Sequence, residues 1–565
     1  MMRAALPRAH FAPSTPACSC TRHASQLPAS LTAASAPPPP PPVASLYAQQ
    51  GTAALSSALD NPAWSDPAYL RRYRDPASHD ALVPTQPGQR RSYETAARAA
   101  PPAATSGIRG STSTASMSAD AGENGNGGKR QRSRRNRLEM EALWSGGDFS
   151  PPIPLESYRA QTTRPRHALL FPGSGSQYVG MGHFLRKEQA AQDVWAEAEE
   201  ALEGFEEWRK GLRLHEKDGE LGQLGKMLDE TEASRRKKPK LHEVVFEGPQ
   251  DQLTRSFNAQ PAILITSVAF LRTLEKHYDL PLSKTASLIL GHSSGEYSAA
   301  VATGALSLTD GVRLTRLHGL LTHYALSLPS IGLSPKVDAP PAQRGQMSAL
   351  VLNPGHSHAE LTEVIRKIRS SRSNQKGAEG TVEVASFNSS TQVVLAGSRD
   401  GILRASEVLR ELEIANRAAD LPVSAPFHCS FMAPAAAGMH AALTSPSIKL
   451  STPSSPLVSG LDASLITSPS SLVSNLVSQI SLPVRWSTCL ASLPAQHDVR
   501  RLIFLGPGQA LANLARRDAK LIKEAEVAAG KDAAEAEQRE TEVLSVATEK
   551  DMDTLRDMWA DEDGA

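Results

Sequence analysis

An apolar run, Leu288-Ile289-Leu290, stops at Gly291-His292-Ser293-Ser294-Gly295 and passes through Glu296 into a helix-like stretch from Tyr297 to Ala302. A G-x-S-x-G pattern in this position restricts the chain to a strand that turns sharply into a helix. Such a turn strains the backbone and leaves no room for side chains two residues either side of the serine. The serine hydroxyl would then stand at a helix N-terminus, where the helix dipole and free N–H groups favour the negative charge that develops in acyl transfer. The pattern alone leaves two readings open, a nucleophile elbow and a plain glycine-bounded turn.

The chain has 565 residues, enough for more than one domain and a large core. With 60 basic and 59 acidic residues it lacks the charge bias of a dedicated nucleic-acid binder or an electrostatic membrane binder. The composition is that of a soluble intracellular protein. Cys18, Cys20, Cys429 and Cys489 do not have the spacing of a zinc site, and no apolar run is long enough to cross a bilayer. No acidic residue precedes Asp60, whereas Arg3, Arg8 and Arg22 lie among Ala, Ser and Pro, the composition of an organelle transit peptide. A proline run from Pro37 to Pro42 and Ala/Ser/Gly-rich sequence up to Gly128 read as disordered. The basic run Lys129 to Arg137 reads as solvated linker in preference to a nuclear signal. Residues 1–160 are therefore expected to be transit peptide and linker.

His167 to Phe171 reads as a first strand, followed by a glycine-rich turn and a charged helical stretch from Glu188 to Lys210. The highly charged segment from Gly211 to Leu241 is expected to be a surface insertion. Pro261 suits the first turn of a helix carrying Leu264, Val268 and Leu271, placed to pack beneath the elbow. From Met347 the rhythm changes. Ala349–Leu352, Val382–Ala385, Val393–Leu395 and a stretch near Ala419–Val423 read as strands, with helices at His358–Ile368 and Asp400–Leu412. This β-α-β-β-α-β order is the ferredoxin-like one. The expected architecture is α/β: a large subdomain in two parts, 161–345 and 424–520, interrupted by a ferredoxin-like subdomain over 346–423. Residues 501–505 read as a strand, and 521–565 as a charged helical tail.

Five segments in order resemble one family. Phe171-Pro172-Gly173-Ser174-Gly175-Ser176-Gln177, Gly291 to Glu296, Pro422 to Cys429, Gln479 with Pro483-Val484-Arg485-Trp486, and Gly506-Pro507-Gly508 are similar to the F-P-G-Q-G-S-Q, G-H-S-x-G-E, histidine, Q-x-x-x-P-V-x-W and G-P-G segments of malonyl-CoA:acyl carrier protein transacylases. The resemblance covers about residues 165 to 520. It implies an α/β-hydrolase-like acyltransferase with its active site between two lobes, a monomer that uses malonyl-CoA and phosphopantetheinyl acyl carrier protein as substrates and binds no cofactor. Together with the amino-terminal composition it implies mitochondrial type II fatty acid synthesis, in the matrix.

By the same resemblance, Ser293 is the nucleophile, His428 its general base and Gln479 the residue whose main-chain carbonyl orients that histidine. The backbone N–H groups of Ser174 and Ser294 would form the oxyanion hole. Gln260 and Asn388 match polar residues lining the cleft, and Phe427 resembles the bulky residue used against branched acyl groups. Two positions depart from the family. Ser174 replaces a glutamine, and His318 stands where an arginine grips the malonyl carboxylate. Arg313 and Arg316 lie roughly 140° and 160° around the helix from it, so neither is a simple substitute. A protonated His318 is expected to bind a carboxylate more weakly, with strong pH dependence. Two other classes compete: an α/β-hydrolase esterase or lipase, expected to carry an acid between serine and a late histidine, and a carrier-protein-binding subunit with a weakened site.

Overall fold

Ala168, Leu170, Leu288 and Leu290 are buried on one face of a sheet, and Leu169, Phe171 and Ile289 on the other. Two-sided burial makes these strands read as continuous apolar runs, as expected for parallel strands covered by helices on both faces. A computed structural model describes residues 166–234, 239–334, 345–370, 380–528 and 540–564. The expected transit peptide and the basic run at 129–137 lie outside the described residues.

In chain order the elements used below are β1 (His167–Phe171), α1 (Gln189–Glu203), α2 (Gly219–Ser234), α3 (Ser256–Lys276), β2 (Leu288–Gly291), α4 (Gly295–Ala302) and α5 (Leu308–Ala325). There follow β3 (Gly345–Leu352), α6 (His358–Ser370), β4 (Val382–Phe387), β5 (Gln392–Ser398), α7 (Arg399–Glu411) and β6 (Ala415–Asp420). The chain then forms α8 (Ala433–Leu443), β7 (Leu457–Val458), β8 (Leu465–Ile466), α9 (Pro469–Ser478), α10 (Trp486–His497) and β9 (Arg501–Leu505). It closes with α11 (Ala510–Ala528), β10 (Glu542–Val546) and α12 (Glu549–Gly564).

The large sheet runs β10-β9-β1-β2-β7-β8, parallel throughout except for β8, which turns back antiparallel on β7. The second sheet is antiparallel, ordered β4-β5-β3-β6, and α6 and α7 bury a separate core against it. The two lobes are stitched by main chain. Phe387 N–H donates to the Val484 carbonyl and Val484 N–H to the Ala385 carbonyl, each at 2.9 Å. Trp486, two residues on, is fully buried below the large sheet.

Several expectations are corrected. The charged stretch from Glu188 breaks at Gly204 into two helices. The segment from Gly211 is not merely superficial: Leu214, Leu224, Leu228 and Leu241 enter the main core, with Leu221, Leu224 and Leu228 at helical spacing on α2. Pro261 lies in the second turn of α3, not the first. There it cannot donate to the Phe257 carbonyl four residues back, and the Arg316 guanidinium supplies that hydrogen bond instead, at 2.7 Å. The strand expected near Ala419–Val423 is β6, several residues earlier. It is a polar edge strand paired only with β3, so apolar alternation could not locate it.

The expected charged tail over 521–565 is the largest correction. After the end of α11 the chain adds β10 parallel to β9 and packs α12 over it, burying Met552, Leu555 and Trp559. The Trp559 ring meets His167 edge-on at 5.0 Å. Buried Arg501 on β9 binds Glu542 of β10 at 2.6 Å and both carboxylate oxygens of Glu562 at 2.6 and 3.1 Å. Charge here marks a neutralised seam, not a solvated extension. Trp559→Ala is therefore expected to destabilise the protein by about 3–5 kcal/mol in urea unfolding. A free tail would leave the midpoint unchanged.

Candidate active site

The elbow forms because nothing larger than glycine fits around it. A Cβ on Gly291 would lie 2.1 Å from the Gly295 carbonyl carbon, and one on Gly295 would lie 2.4 Å from the Phe171 carbonyl oxygen. Between them Ser293 is held at φ 56°, in the left-handed region that side chains disfavour. It sits between the carboxyl end of β2 and the start of α4, beside the turn that follows β1. Crevices of this kind, at the carboxyl ends of parallel strands, are where open α/β sheets bind ligands.

His428 also has a left-handed backbone, φ 59°, and is buried. Its Nδ1 lies 2.6 Å from the Gln479 carbonyl oxygen and its Nε2 lies 2.7 Å from Ser293 Oγ. A carbonyl can only accept, so Nδ1 carries the proton and Nε2 is left as the acceptor facing the serine hydroxyl. No carboxylate is needed to fix the tautomer. Burial lowers the His428 pKa to about 4, against the pull of the Gln479 carbonyl and with a further push from His292. The imidazole is thus neutral and able to take a proton at neutral pH. The small lobe holds the same segment. Glu383 of β4, itself fully buried, accepts from Ser430 N–H at 2.8 Å and Ser430 Oγ at 2.7 Å.

The turn after β1 meets the start of α4. Ser174 N–H donates to Ser294 Oγ at 3.1 Å, and the two hydroxyls are 3.3 Å apart. In this arrangement the Ser174 N–H is engaged by the Ser294 hydroxyl. The turn is braced by Gly175 N–H donating to Gln177 Oε1 at 2.8 Å.

The remaining residues singled out from sequence take different places. Asn388 does not present a free amide. Its Oδ1 lies 2.9 Å from His292 Nε2 and also accepts from Ser386, so it fastens the small lobe beside the nucleophile. Gln260 is buried on α3, and its Oε1 has no hydrogen-bond partner among the described residues. Phe427 is buried with its ring 6.4 Å from that of His428. His318, on α5, is 5% exposed and stacks obliquely on Tyr297 at 5.9 Å. Neither ring nitrogen has a hydrogen-bond partner among the described residues. Burial, reinforced by the neighbouring His428, lowers its pKa to about 3. This corrects the expectation of a protonated His318: the side chain is neutral, a hydrogen-bonding group and not a charge. Arg316 is committed elsewhere, to Phe257 and Asn258 Oδ1.

Sequence reasoning gave no role to Glu296, Asn475, Glu383 or His292. Glu296 is 3% exposed, and burial pushes its carboxyl up to about 8 despite the N–H donors of Gly460 and Asn475. A glutamate three residues after Ser293, the one ionisable side chain in the helix from Gly295 to Ala302 apart from Tyr297, was the available signal.

Among the described residues no group of three or more His, Cys, Asp or Glu is placed to hold a metal ion. A two-lobed α/β fold with a serine–histidine pair can carry acyl chemistry, and residues 168–327 match the acyl transferase domain family. A malonyl CoA-acyl carrier protein transacylase of Bacillus subtilis is 32% identical over 357 residues, 63% of this chain and 91% of that protein. One from Salmonella typhimurium is 30% identical over 352 residues, 62% of this chain and 92% of that protein. Among solved structures, the acyl-carrier-protein S-malonyltransferase of Bartonella henselae superposes with a TM-score of 0.52 at 29% identity, over 70% of this chain and 99% of that one. A malonyl-transacylase in complex with its type II PKS acyl-carrier protein superposes with a TM-score of 0.51 at 25% identity, over 70% and 99%. The chain belongs to the malonyl CoA-acyl carrier protein transacylase family.

Ser293→Ala is expected to abolish covalent labelling by an acyl-CoA, and His428→Ala to slow it by about two to four orders of magnitude; intact-mass spectrometry reads both. Because His428 acts as a base and titrates near pH 4, the labelling rate should stay level from pH 8 to about 5 and fall below that. Stability follows the same sign. Folded pKa values below the unfolded 6.5 at His428 and His318 mean the unfolded chain binds more protons, so Tm falls progressively as pH drops from about 6.5 towards 3.

Proposed function

We propose that this chain moves malonyl from malonyl-CoA to the phosphopantetheine thiol of acyl carrier protein through a malonyl ester on Ser293. The observation that carries the reading is the relay from Ser293 Oγ through the His428 imidazole to the Gln479 carbonyl, at 2.7 and 2.6 Å. As Oγ attacks the thioester carbonyl, its proton passes to His428 Nε2 and the negative charge on the tetrahedral oxygen falls between the N–H groups of residues 174 and 294. Collapse breaks the C–S bond, and the coenzyme A thiolate leaves with that proton. The carrier thiol then gives its proton to His428 and attacks the ester, the C–Oγ bond breaks, and Ser293 Oγ takes that proton back from His428 Nε2. The strand order of the smaller sheet supports reading that lobe as ferredoxin-like. Supplying carrier protein and radiolabelled malonyl-CoA tests the reaction. Label on the carrier supports it, label released as free malonate indicates a hydrolase, and no transfer indicates a carrier-binding subunit.

The neutral His318 bears on which acyl group is taken. A buried imidazole can hydrogen-bond a carboxylate but supplies no permanent charge, whereas an arginine would offer a bidentate, charged donor. We therefore expect His318→Arg to raise the preference for malonyl over acetyl by about one to two orders of magnitude, roughly 1.4–3 kcal/mol. With burial and His428 holding the His318 pKa down to about 3 in the unliganded site, the native preference is expected to stay level between pH 6 and 8 unless the bound carboxylate pulls a proton onto the ring. Competitive transfer assays across that range give both quantities.

The absence of acidic residues before Asp60, with its three early arginines, supports delivery to the mitochondrial matrix and service in type II fatty acid synthesis as a monomer. A fluorescent fusion lacking residues 1–60 should remain in the cytosol. Mitochondrial entry of that fusion would overturn the assignment.

A further inference from the structure

The Ser293 and His428 side chains come from the two sequence segments of the large lobe, on either side of the inserted lobe, and a buried polar bridge joins the helices behind them. Glu296 stands in the first turn of α4, three residues after Ser293. Its Oε1 accepts from Gly460 N–H at 2.8 Å and its Oε2 accepts from the Asn475 amide. Asn475 is buried on α9, and its Oδ1 accepts from Ser459 Oγ at 2.6 Å, a hydroxyl that also accepts from Leu461 N–H at 3.1 Å. Among the described residues, no side-chain nitrogen or oxygen of Glu296, Asn475 or Ser459 is buried without a partner. One helical turn after Asn475 comes Gln479, whose N–H donates to the Asn475 carbonyl at 3.0 Å and whose own carbonyl fixes His428 Nδ1.

The contacts close a ring: Ser293, α4, Glu296, Asn475, the last turn of α9, the Gln479 carbonyl, His428 and back to Ser293 Oγ. We infer that Glu296 is a positioning residue for the nucleophile and its base, setting through Asn475 the distance and angle at which the Gln479 carbonyl presents His428 to Ser293. A hydrogen bond that crosses between two helices fixes their separation where apolar packing would tolerate sliding. In acyl transfer a displacement of a fraction of an ångström at the serine–imidazole contact costs rate, not substrate binding. The inference rests on Ser293 being the nucleophile, and its test needs no knowledge of the acyl group.

A fluorophosphonate probe supplies that test. Ser293 Oγ forms a bond to phosphorus, fluoride leaves, and the serine proton passes to His428. Glu296→Gln keeps the size of the side chain but faces the Asn475 amide with a second amide. Asn475→Ala removes the bridge from the other side and leaves Glu296 its bond to Gly460. Each is expected to slow the maximal rate of fluorophosphonate labelling about tenfold, with circular dichroism unchanged and the probe concentration for half-maximal rate held within about twofold. The double variant should be no slower than the slower single one, since both remove one contact. In a His428→Ala background Glu296→Gln should change the residual rate by less than about twofold, because the group being positioned is gone. Native labelling rates in folded single variants would overturn the inference. So would an equal loss with and without His428, which would mean that Glu296 acts on the fold or the serine alone. Failure of malonyl transfer with these labelling results intact would count against the substrate and not against the role of Glu296.

Discussion

Both halves of the reacting pair are held in a backbone conformation that the isolated chain avoids. Left-handed φ values at Ser293 and His428 cost of order 1 kcal/mol each, and neither residue is the glycine that adopts such a turn without strain. The surrounding structure over-determines them. Gly291 and Gly295 let α4 approach the ends of β1 and β2 closely enough that Ser293 has no other path. Hydrogen bonds to Ile480, Gln479 and, two residues later, Glu383 leave the His428 segment equally confined. Much of the architecture can be read as the means of holding two disfavoured residues 2.7 Å apart.

The two lobes contribute unequally to that task. The large lobe supplies the serine, the histidine and the carbonyl that orients it. The small lobe supplies no reacting atom, yet Asn388 holds His292 and Glu383 holds Ser430, so its β4 edge flanks both strained residues. Placing buried carboxylates at such joints has an electrostatic consequence. Glu383 lies beside the chain next to His428, and burial raises its carboxyl above the ordinary range against the opposing effect of Arg369. The imidazoles at the centre, His292, His318 and His428, are all pushed the other way. The centre is consequently short of fixed charge, a low-dielectric setting in which two aimed N–H groups are worth more to an oxyanion than they would be in water.

What could be read from sequence was whatever depends on local pattern. Strands β1, β2 and β9 are short apolar runs ended by glycine, and the elbow, the histidine segment and the P-V-x-W stretch each bring their own neighbours. The alternation in the inserted lobe gave its β-α-β-β-α-β order, although β6 escaped because an edge strand needs no apolar face. Features that depend on distant partners were not legible. Pro261 looked like a helix start because nothing local shows that Arg316 accepts the task of satisfying Phe257. The acidic end of the chain looked like a solvated tail because the partner of Glu542 and Glu562 is an arginine on another strand. His318 could be placed by motif, but its protonation is set by burial and by His428, which no spacing reveals.

The sheet order has a consequence for how the chain reaches this state. β1, at the start of the described chain, is hydrogen-bonded on one side to β2 and on the other to β9, which in turn needs β10. The β1–β9 pairing therefore cannot form until residues 501–505 have been made, after the whole of the inserted lobe. The smaller sheet, whose strands are neighbours in sequence, can close much earlier because its loops are short. Until β7 and β9 have been made, the β9-facing edge of β1 and the β7-facing edge of β2 lack their partners, the circumstance in which exposed strand edges invite aggregation. Pairing of β9 with β1, and of β10 with β9 beside Arg501, ends the exposure of the β1 edge.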